Sequence, residues 1–503
     1  MAASINTLLQ NLHNGSDLLS TLQGIKTVLQ TTHPSELKEL LKNVSFDSVF
    51  SCLNSTNRNE LELSRDILTT LLDNVDVEVL LAQFRDELCM GLGHPQEDIR
   101  ALCLKQIKRA ANETAGLHIL LSDGDLLSLV ISKVGDDSLA VAKIAMVVLQ
   151  VAGSDVKGQG LLFGGQHLAN LKSVAAKNDT VRYRVFEVAV HVAGSSSSAL
   201  EHTVSSGFLQ DLVSDINTDD VLIQLNAIEM LANLVVSQHT LCFLEQQGVM
   251  GRLENLLIGA QTDQSQDFLL PPIIKFFGTV AHFDPKEVTE KHGSFLRITF
   301  ELLPSDDPAL GCIAVETVGF VGRTVEGKQT LDKQGQGMTD ALKVIGRLLV
   351  QPPTETRMRA LAATQDLFTL QEEHQTDDLL SMQERWFTNL SPKPLDLLLS
   401  LCKQPFMEIR CNALLILRAL VNQPWAGRML NQEAGFLEYL LDRTTEPDKE
   451  GKETKYSVVK ALAEAPSTGD IFGRPALLRL KEYVRDGPFY VRVQSEVAME
   501  SGS

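Results

Sequence analysis

The chain is predicted to be all-α, a superhelical solenoid of stacked helical repeats. Three observations carry that prediction. Apolar residues are plentiful while aromatics are scarce, a sequence unit recurs about every 40 residues, and glycines stand at fixed spacing between the short segments of each unit.

Of 503 residues, 44% are hydrophobic but only 5% aromatic. Leu, Val and Ala carry the apolar share, which suits helices packed on helices better than a sheet sandwich. The recurring unit is a polar Asp/Glu/Asn cluster, a branched or small apolar residue, and then apolar residues at helical spacing. It is seen in "PQEDIRALCLKQI", "GDDSLAVAKIAMVVL", "KNDTVRYRVFEVAV", "NTDDVLIQLNAIEMLANL", "PSDDPALGCIAVETVGFVG" and "PFMEIRCNALLILRAL". The residues that follow the clusters, Ile99, Leu139, Val181 and Val221, are 40, 42 and 40 positions apart. Ala309 and Ile409 continue the series, with "DFLLPPIIKFFGTVA" and "TETRMRALAATQDLF" filling the two wider gaps. That period belongs to HEAT and armadillo arrays, in which each unit buries its apolar face against its neighbours.

Glycine pairs sharpen the prediction to armadillo-like. Gly116/Gly124, Gly327/Gly335 and Gly427/Gly435 are each 8 apart. They are expected to bound a short helix and to turn the chain in the left-handed conformation that glycine tolerates. In chain order the expectation is an N-terminal helical cap and first repeats over 1–90, the armadillo-like array over 91–442, a charged loop over 443–455, a C-terminal helical cap over 456–487 and a polar tail over 488–503.

The net charge of -19 repels phosphate backbones and anionic membranes, so neither nucleic acid nor membrane is expected as a partner; a basic protein surface would be attracted, although a net acidic charge is also ordinary for a soluble protein. Seven cysteines without a C-x-x-C suit a reducing compartment. The N-terminus lacks the basic and apolar pattern of a signal peptide. The longest apolar run, Ile144 to Gly153, is about half of the roughly 20 residues that cross a bilayer. A cytoplasmic location is expected, with the nucleus also open.

Chemical motifs are near misses. Gly322, four residues, then Gly327-Lys328 imitate a phosphate-binding loop, but Gln329 occupies the hydroxyl position and the preceding segment reads as a helix where a strand is required. The Gly-Gln-Gly triplets at 158 and 335 lack the third glycine of a dinucleotide fingerprint, and the eleven histidines form no zinc spacing. No catalytic residue, cofactor or metal is expected.

A solenoid's default role is binding, and in armadillo units the long third helix lines the inward face. The inward pairs are Glu187/His191, Glu229/Asn233, Lys275/Thr279 and Glu316/Phe320, each spaced i, i+4 and so on one helix face. The glutamates form a candidate acidic ladder for a basic partner, and Phe320 is expected to be an open aromatic anchor. A merely solvated face is the alternative.

Several irregular stretches add a resemblance: "NDTVRYRVFEV", "IKFFGTVA", "VEGKQTL", "QTDDLL", "NQPWAGRML" and "DRTTEPDKEGKETKYSVVKALA". Together they are similar, over nearly the whole length, to a family of non-ATPase regulatory subunits of the 26S proteasome, which are all-helical HEAT/armadillo-like proteins. The first 50 residues are the least characteristic. The resemblance implies a dedicated assembly chaperone. Such a protein binds the C-terminal domain of one AAA-type ATPase subunit of the proteasome base, in a module with a neighbouring ATPase and a large non-ATPase scaffold subunit, and leaves before the proteasome is complete. The rival reading is an armadillo transport adaptor for basic peptides. That class calls for repeated Trp and Asn ladders, whereas this chain has two tryptophans, Trp386 and Trp425.

Overall fold

The computed structural model describes residues 18–33, 46–261, 264–351 and 353–490, together with residues 8, 9, 12 and 37. Every regular element among the described residues is a helix, and they contain no strand. Residues 1–247 and 248–503 form two compact units.

In the first unit the long helices are α1 (Leu18–Thr31), α2 (Arg58–Asp73), α3 (Glu97–Ala111), α4 (Leu139–Ser154), α5 (Asp179–Ser195) and α6 (Val221–Leu234). In the second they are α7 (Leu270–Phe283), α8 (Pro308–Val321), α9 (Thr354–Phe368), α10 (Met407–Leu420) and α11 (Lys449–Glu464). Within each unit every long helix packs on the next. Two further helices precede each of them from α3 onward, as Thr114–Ser122 and Gly124–Val134 precede α4. The predicted all-α repeat architecture is thus observed, and the anchors at 99, 139, 181, 221, 309 and 409 all fall in the first turn of a long helix.

The polar clusters of the repeat explain where those helices begin. Side chains of Asn57, Asn178, Asp220 and Asp307 accept hydrogen bonds from free backbone N–H groups of the first turns, each such cap stabilising its helix by about 1 kcal/mol. Past the cap, helical spacing lays one stripe on the core. On α4 it is Val141, Ala142, Ala145, Met146, Val148, Leu149 and Ala152, all buried. Small residues then let neighbouring long helices touch backbone to backbone. A Cβ on Gly319 of α8 would stand 2.6 Å from the Cα of Ala363 on α9.

Arginine adds polar struts between repeats. The fourth residue of four long helices is Arg100, Arg182, Arg357 or Arg410. Arg100 grips Asp136 through two bonds of 2.8 Å, Arg182 reaches Asp215 at 2.9 Å, and Arg410 meets Glu446 at 2.6 Å and Asp448 at 3.2 Å. Arg357 donates to the carbonyl of Leu349, the C-cap of the preceding helix, at 2.7 Å. Burial alone would raise the Asp136 carboxyl, but the Arg100 guanidinium outweighs it and leaves that group below the usual carboxylate range.

Three expectations are corrected. Residues 443–455 are not wholly a loop, because α11 starts at Lys449. The charge run concealed two buried residues, Glu446 and Lys455. The Lys455 amine donates to the carbonyls of Tyr439 and Asp442 at 2.6 and 2.7 Å, so it pins the start of α11 to the end of the helix before it. Of the glycine pairs, the second members Gly335 and Gly435 have φ of +56° and +77° as expected, but Gly124 does not; Asp123 caps the next helix there by accepting from Leu126 N–H. The first members serve close packing instead, and a Cβ on Gly327 would fall on the carbonyl oxygen of Val321. The tail expected at 488–503 lies outside the described residues beyond Tyr490.

Candidate protein-binding face

The face begins with what helix packing leaves uncovered. On α5, Phe186, Val188, Val190 and Val192 are buried while Glu187 and His191 are exposed. On α6 the buried Ile228 and Leu231 flank the exposed Glu229 and Asn233. Because α5 packs on α6, both pairs belong to one unit. Lys275 is exposed on α7, Thr279 is half-buried, and Glu316 and Phe320 on α8 are half-buried.

In the second unit a cleft of about 290 Å³ gathers Lys275, Thr279, Glu316 and Phe320 with Arg323, Arg359 and Asp366. Four residues singled out by spacing therefore converge on one concavity across α7, α8 and α9. Its electrostatics depart from the expected acidic ladder. Glu316 is ion-paired with Arg359, which also holds Glu355 at 3.0 Å, and Arg323 pairs with Asp366 at 2.9 Å. Glu316 thus presents a neutralised pair to a partner. Phe320 is likewise not fully open, since its ring stacks on His282 at 4.3 Å and the Arg323 guanidinium lies 5.0 Å from its centroid. It is a partly exposed aromatic in a polar frame.

Arg323 and Arg359 were not singled out from the sequence. Arg359 lies 43 residues from Glu316, close to one repeat length, and that separation was the available signal for a cross-repeat partner.

The near phosphate-binding loop resolves into a joint. Val325–Asp332 is a short helix capped by Thr324, whose hydroxyl accepts from Gly327 N–H at 3.0 Å. Lys328 is 1% exposed. Its amine donates to the carbonyl of Gly322 and, at 2.9 Å, to that of Asp366. It therefore caps the ends of α8 and α9, and burial pushes it down to about 7. A lysine spent on two helix termini does not face a phosphate. Among the described residues no three His, Cys, Asp or Glu side chains converge as a metal site, and no single helix is long and apolar enough to cross a membrane.

The chain is thus a helical-repeat protein whose first unit leaves polar side chains of α5 and α6 exposed and whose second unit holds a side-chain-sized cleft on α7, α8 and α9. Over residues 1–503 the sequence matches the family described as "Proteasome non-ATPase 26S subunit". It is 36% identical over 501 residues to the 26S proteasome non-ATPase regulatory subunit 5 of Homo sapiens, spanning 99% of this chain and 99% of that one. The protein of the same description from Drosophila melanogaster is 22% identical over 512 residues, spanning 98% and 97%. A crystal structure of an engineered protein covers 86% of this chain at 14% identity with a TM-score of 0.40, an overlay too loose to carry an argument. The chain belongs to the proteasome non-ATPase 26S subunit family.

Proposed function

We propose that this chain is a non-catalytic chaperone for assembly of the base of the 26S proteasome regulatory particle. In this reading it holds the C-terminal domain of an AAA-type ATPase subunit, in company with a neighbouring ATPase and a large non-ATPase scaffold subunit, and is released before the mature proteasome forms. The observation that carries the reading is similarity along the full length of both chains to a protein named as a proteasome non-ATPase regulatory subunit. The uncovered face of the long helices supports it, because a repeat array offers a rigid surface that loses little entropy on binding. Partly exposed Phe320 between paired charges suits an anchor whose polar rim is already satisfied. Release follows from competition, as completed neighbours claim the surfaces the chaperone covers.

An adaptor for basic peptides is less well supported. Trp386 and Trp425 are each 2% exposed, so neither is available to a peptide backbone.

Affinity capture of the tagged protein from cytosol, read by mass spectrometry and by a native gel stained for peptidase activity, tests the proposal. Base ATPases and the scaffold subunit are expected without the proteolytic core or peptidase activity. Recovery of intact active proteasomes would make the chain a resident subunit instead, and recovery of no base subunit would refute the chaperone reading.

A further inference from the structure

The first unit carries a charge pattern on α3 and α4, where spacing had singled out no residue. α3 packs against α2, α4 and the short helices Val77–Gln83, Arg85–Leu92 and Thr114–Ser122. α4 packs against α3, α5 and the helices Gly124–Val134 and Val156–Leu162. One stripe of each remains open. On α3 it holds Ala101, Lys105 and Lys108, and on α4 it holds Lys143 and Val147, neighbours three or four residues apart on one helix face. Lys105 and Lys143 are exposed, while Ala101, Lys108 and Val147 are half-buried.

Nothing neutralises these lysines. Among the described residues none of the three makes an ion pair or a hydrogen bond. α4 has no carboxylate, and those of α3, Glu97 and Asp98, stand in its first turn, where Arg65 holds Asp98 at 3.0 Å. Asp73, at the end of α2, accepts from Gln106 at 2.6 Å, and Arg109 covers that helix end by donating to the carbonyls of Leu72 and Val75 at 2.9 Å. The C-terminus of α3 adds about half a negative charge near Lys108, but Lys105 lies more than a turn before it and Lys143 lies near the start of α4. In a chain of net charge -19 this is a local reversal of sign, and it stops at the next helix. The exposed residue on α5 is Glu187, which makes no ion pair or hydrogen bond. Arg184, one turn before it, is taken up by the carbonyls of Val134 and Asp136 at 3.1 and 2.9 Å.

We propose that the open side of α3, α4 and α5 docks a partner segment whose charge runs the opposite way, with carboxylates over Lys105, Lys108 and Lys143 and a Lys or Arg over Glu187. Val147 supplies an apolar contact between the two halves. Neighbouring helix axes are about 8–10 Å apart, so a segment that crosses from α3 to α5 covers about 16–20 Å. That takes about six residues of extended chain or about twelve of helix. The change of sign decides which end of the segment lies over which helix. This surface lies in the first unit and shares no residue with the cleft on α7, α8 and α9, so it stands or falls separately from the chaperone reading.

The test is selection of a displayed library of random peptides about fifteen residues long on the full-length protein, with counter-selection on the K105E/K143E double variant. Both lysines are exposed, and the variant's melting curve checks that it folds as the parent does. Enriched peptides are expected to carry carboxylates toward one end and Lys or Arg toward the other, and to bind the double variant about tenfold or more weakly. E187K is expected to weaken these peptides and to strengthen wholly acidic ones. Enrichment of wholly basic peptides overturns the proposal, as does the lack of any peptide whose binding depends on Lys105 and Lys143. Indifference of the enriched peptides to E187K overturns the charge order. Binding of polyuridylate RNA that is lost in K105E/K143E, with no peptide enriched, would assign the surface to a phosphate backbone instead.

Discussion

Lys328 shows how one side chain can imitate a motif and do different work. Its amine, 1% exposed, closes two helix ends. Lys328→Met is expected to leave the carbonyls of Gly322 and Asp366 without that donor and to destabilise the protein by about 1–3 kcal/mol. The pH dependence has a definite sign. Burial lowers this amine from its ordinary 10.5 to about 7 in the folded chain. Between those values the unfolded chain binds more protons than the folded one, so this group's contribution to stability rises as pH increases from about 7 toward 10. The urea midpoint of the parent minus that of K328M should therefore grow between pH 7 and pH 9. A constant difference would mean that the amine is not buried as described. Asp136 has the same sign in a more acidic window. Its carboxyl lies below the usual range beside Arg100, so its contribution is present above the unfolded carboxylate value and lost as pH falls through the folded one. Asp136→Asn, which leaves the largely buried Arg100 side chain without its counter-charge, is expected to cost about 3 kcal/mol, read as a lower denaturation midpoint.

At the scale of helices, two glycines are expected to respond in opposite directions. Gly319→Val forces α8 and α9 apart where a Cβ would stand 2.6 Å from Ala363, and a loss of about 2 kcal/mol or more follows. Gly251 lies inside the helix Val249–Ala260 with nothing within 4 Å of an added Cβ. Gly251→Ala should stabilise by about 0.5–1 kcal/mol, and thermal melts of the two variants check both signs. Much at this scale was legible from sequence. Capping clusters and helical spacing are local signals, so the starts of α5, α6 and α8 fell where "KNDTV", "NTDDV" and "PSDDPA" placed them. The i, i+4 rule also put Glu187, His191, Glu229 and Asn233 on exposed faces. What spacing did not yield was which charges meet across repeats. Arg359 neutralises Glu316, Arg100 meets Asp136, and Lys455 disappears beneath a charged run. Each pairing depends on a neighbouring helix brought near by packing, and periodicity says which face a residue takes without saying what it finds there. The same reason explains Phe320, whose exposure is limited by His282 on the preceding long helix.

For the molecule as a whole, net charge and local site chemistry point to different partners. A charge of -19 favours approach of basic surfaces at long range and weakens as salt screens it. The cleft on α7, α8 and α9 is far less acidic than that total, so selectivity there at close range rests on shape, Phe320 and paired charges. The proposed chaperone role puts the partner on the exposed side of α7 and α8. Hydrogen–deuterium exchange of the full chain, alone and in complex with the base ATPase subunit recovered by capture, tests it most directly. Slower exchange on binding is expected within α7 and α8, which carry Lys275, Thr279, Glu316 and Phe320. Unchanged exchange in those helices, with the ATPase subunit bound and protection elsewhere, would contradict it.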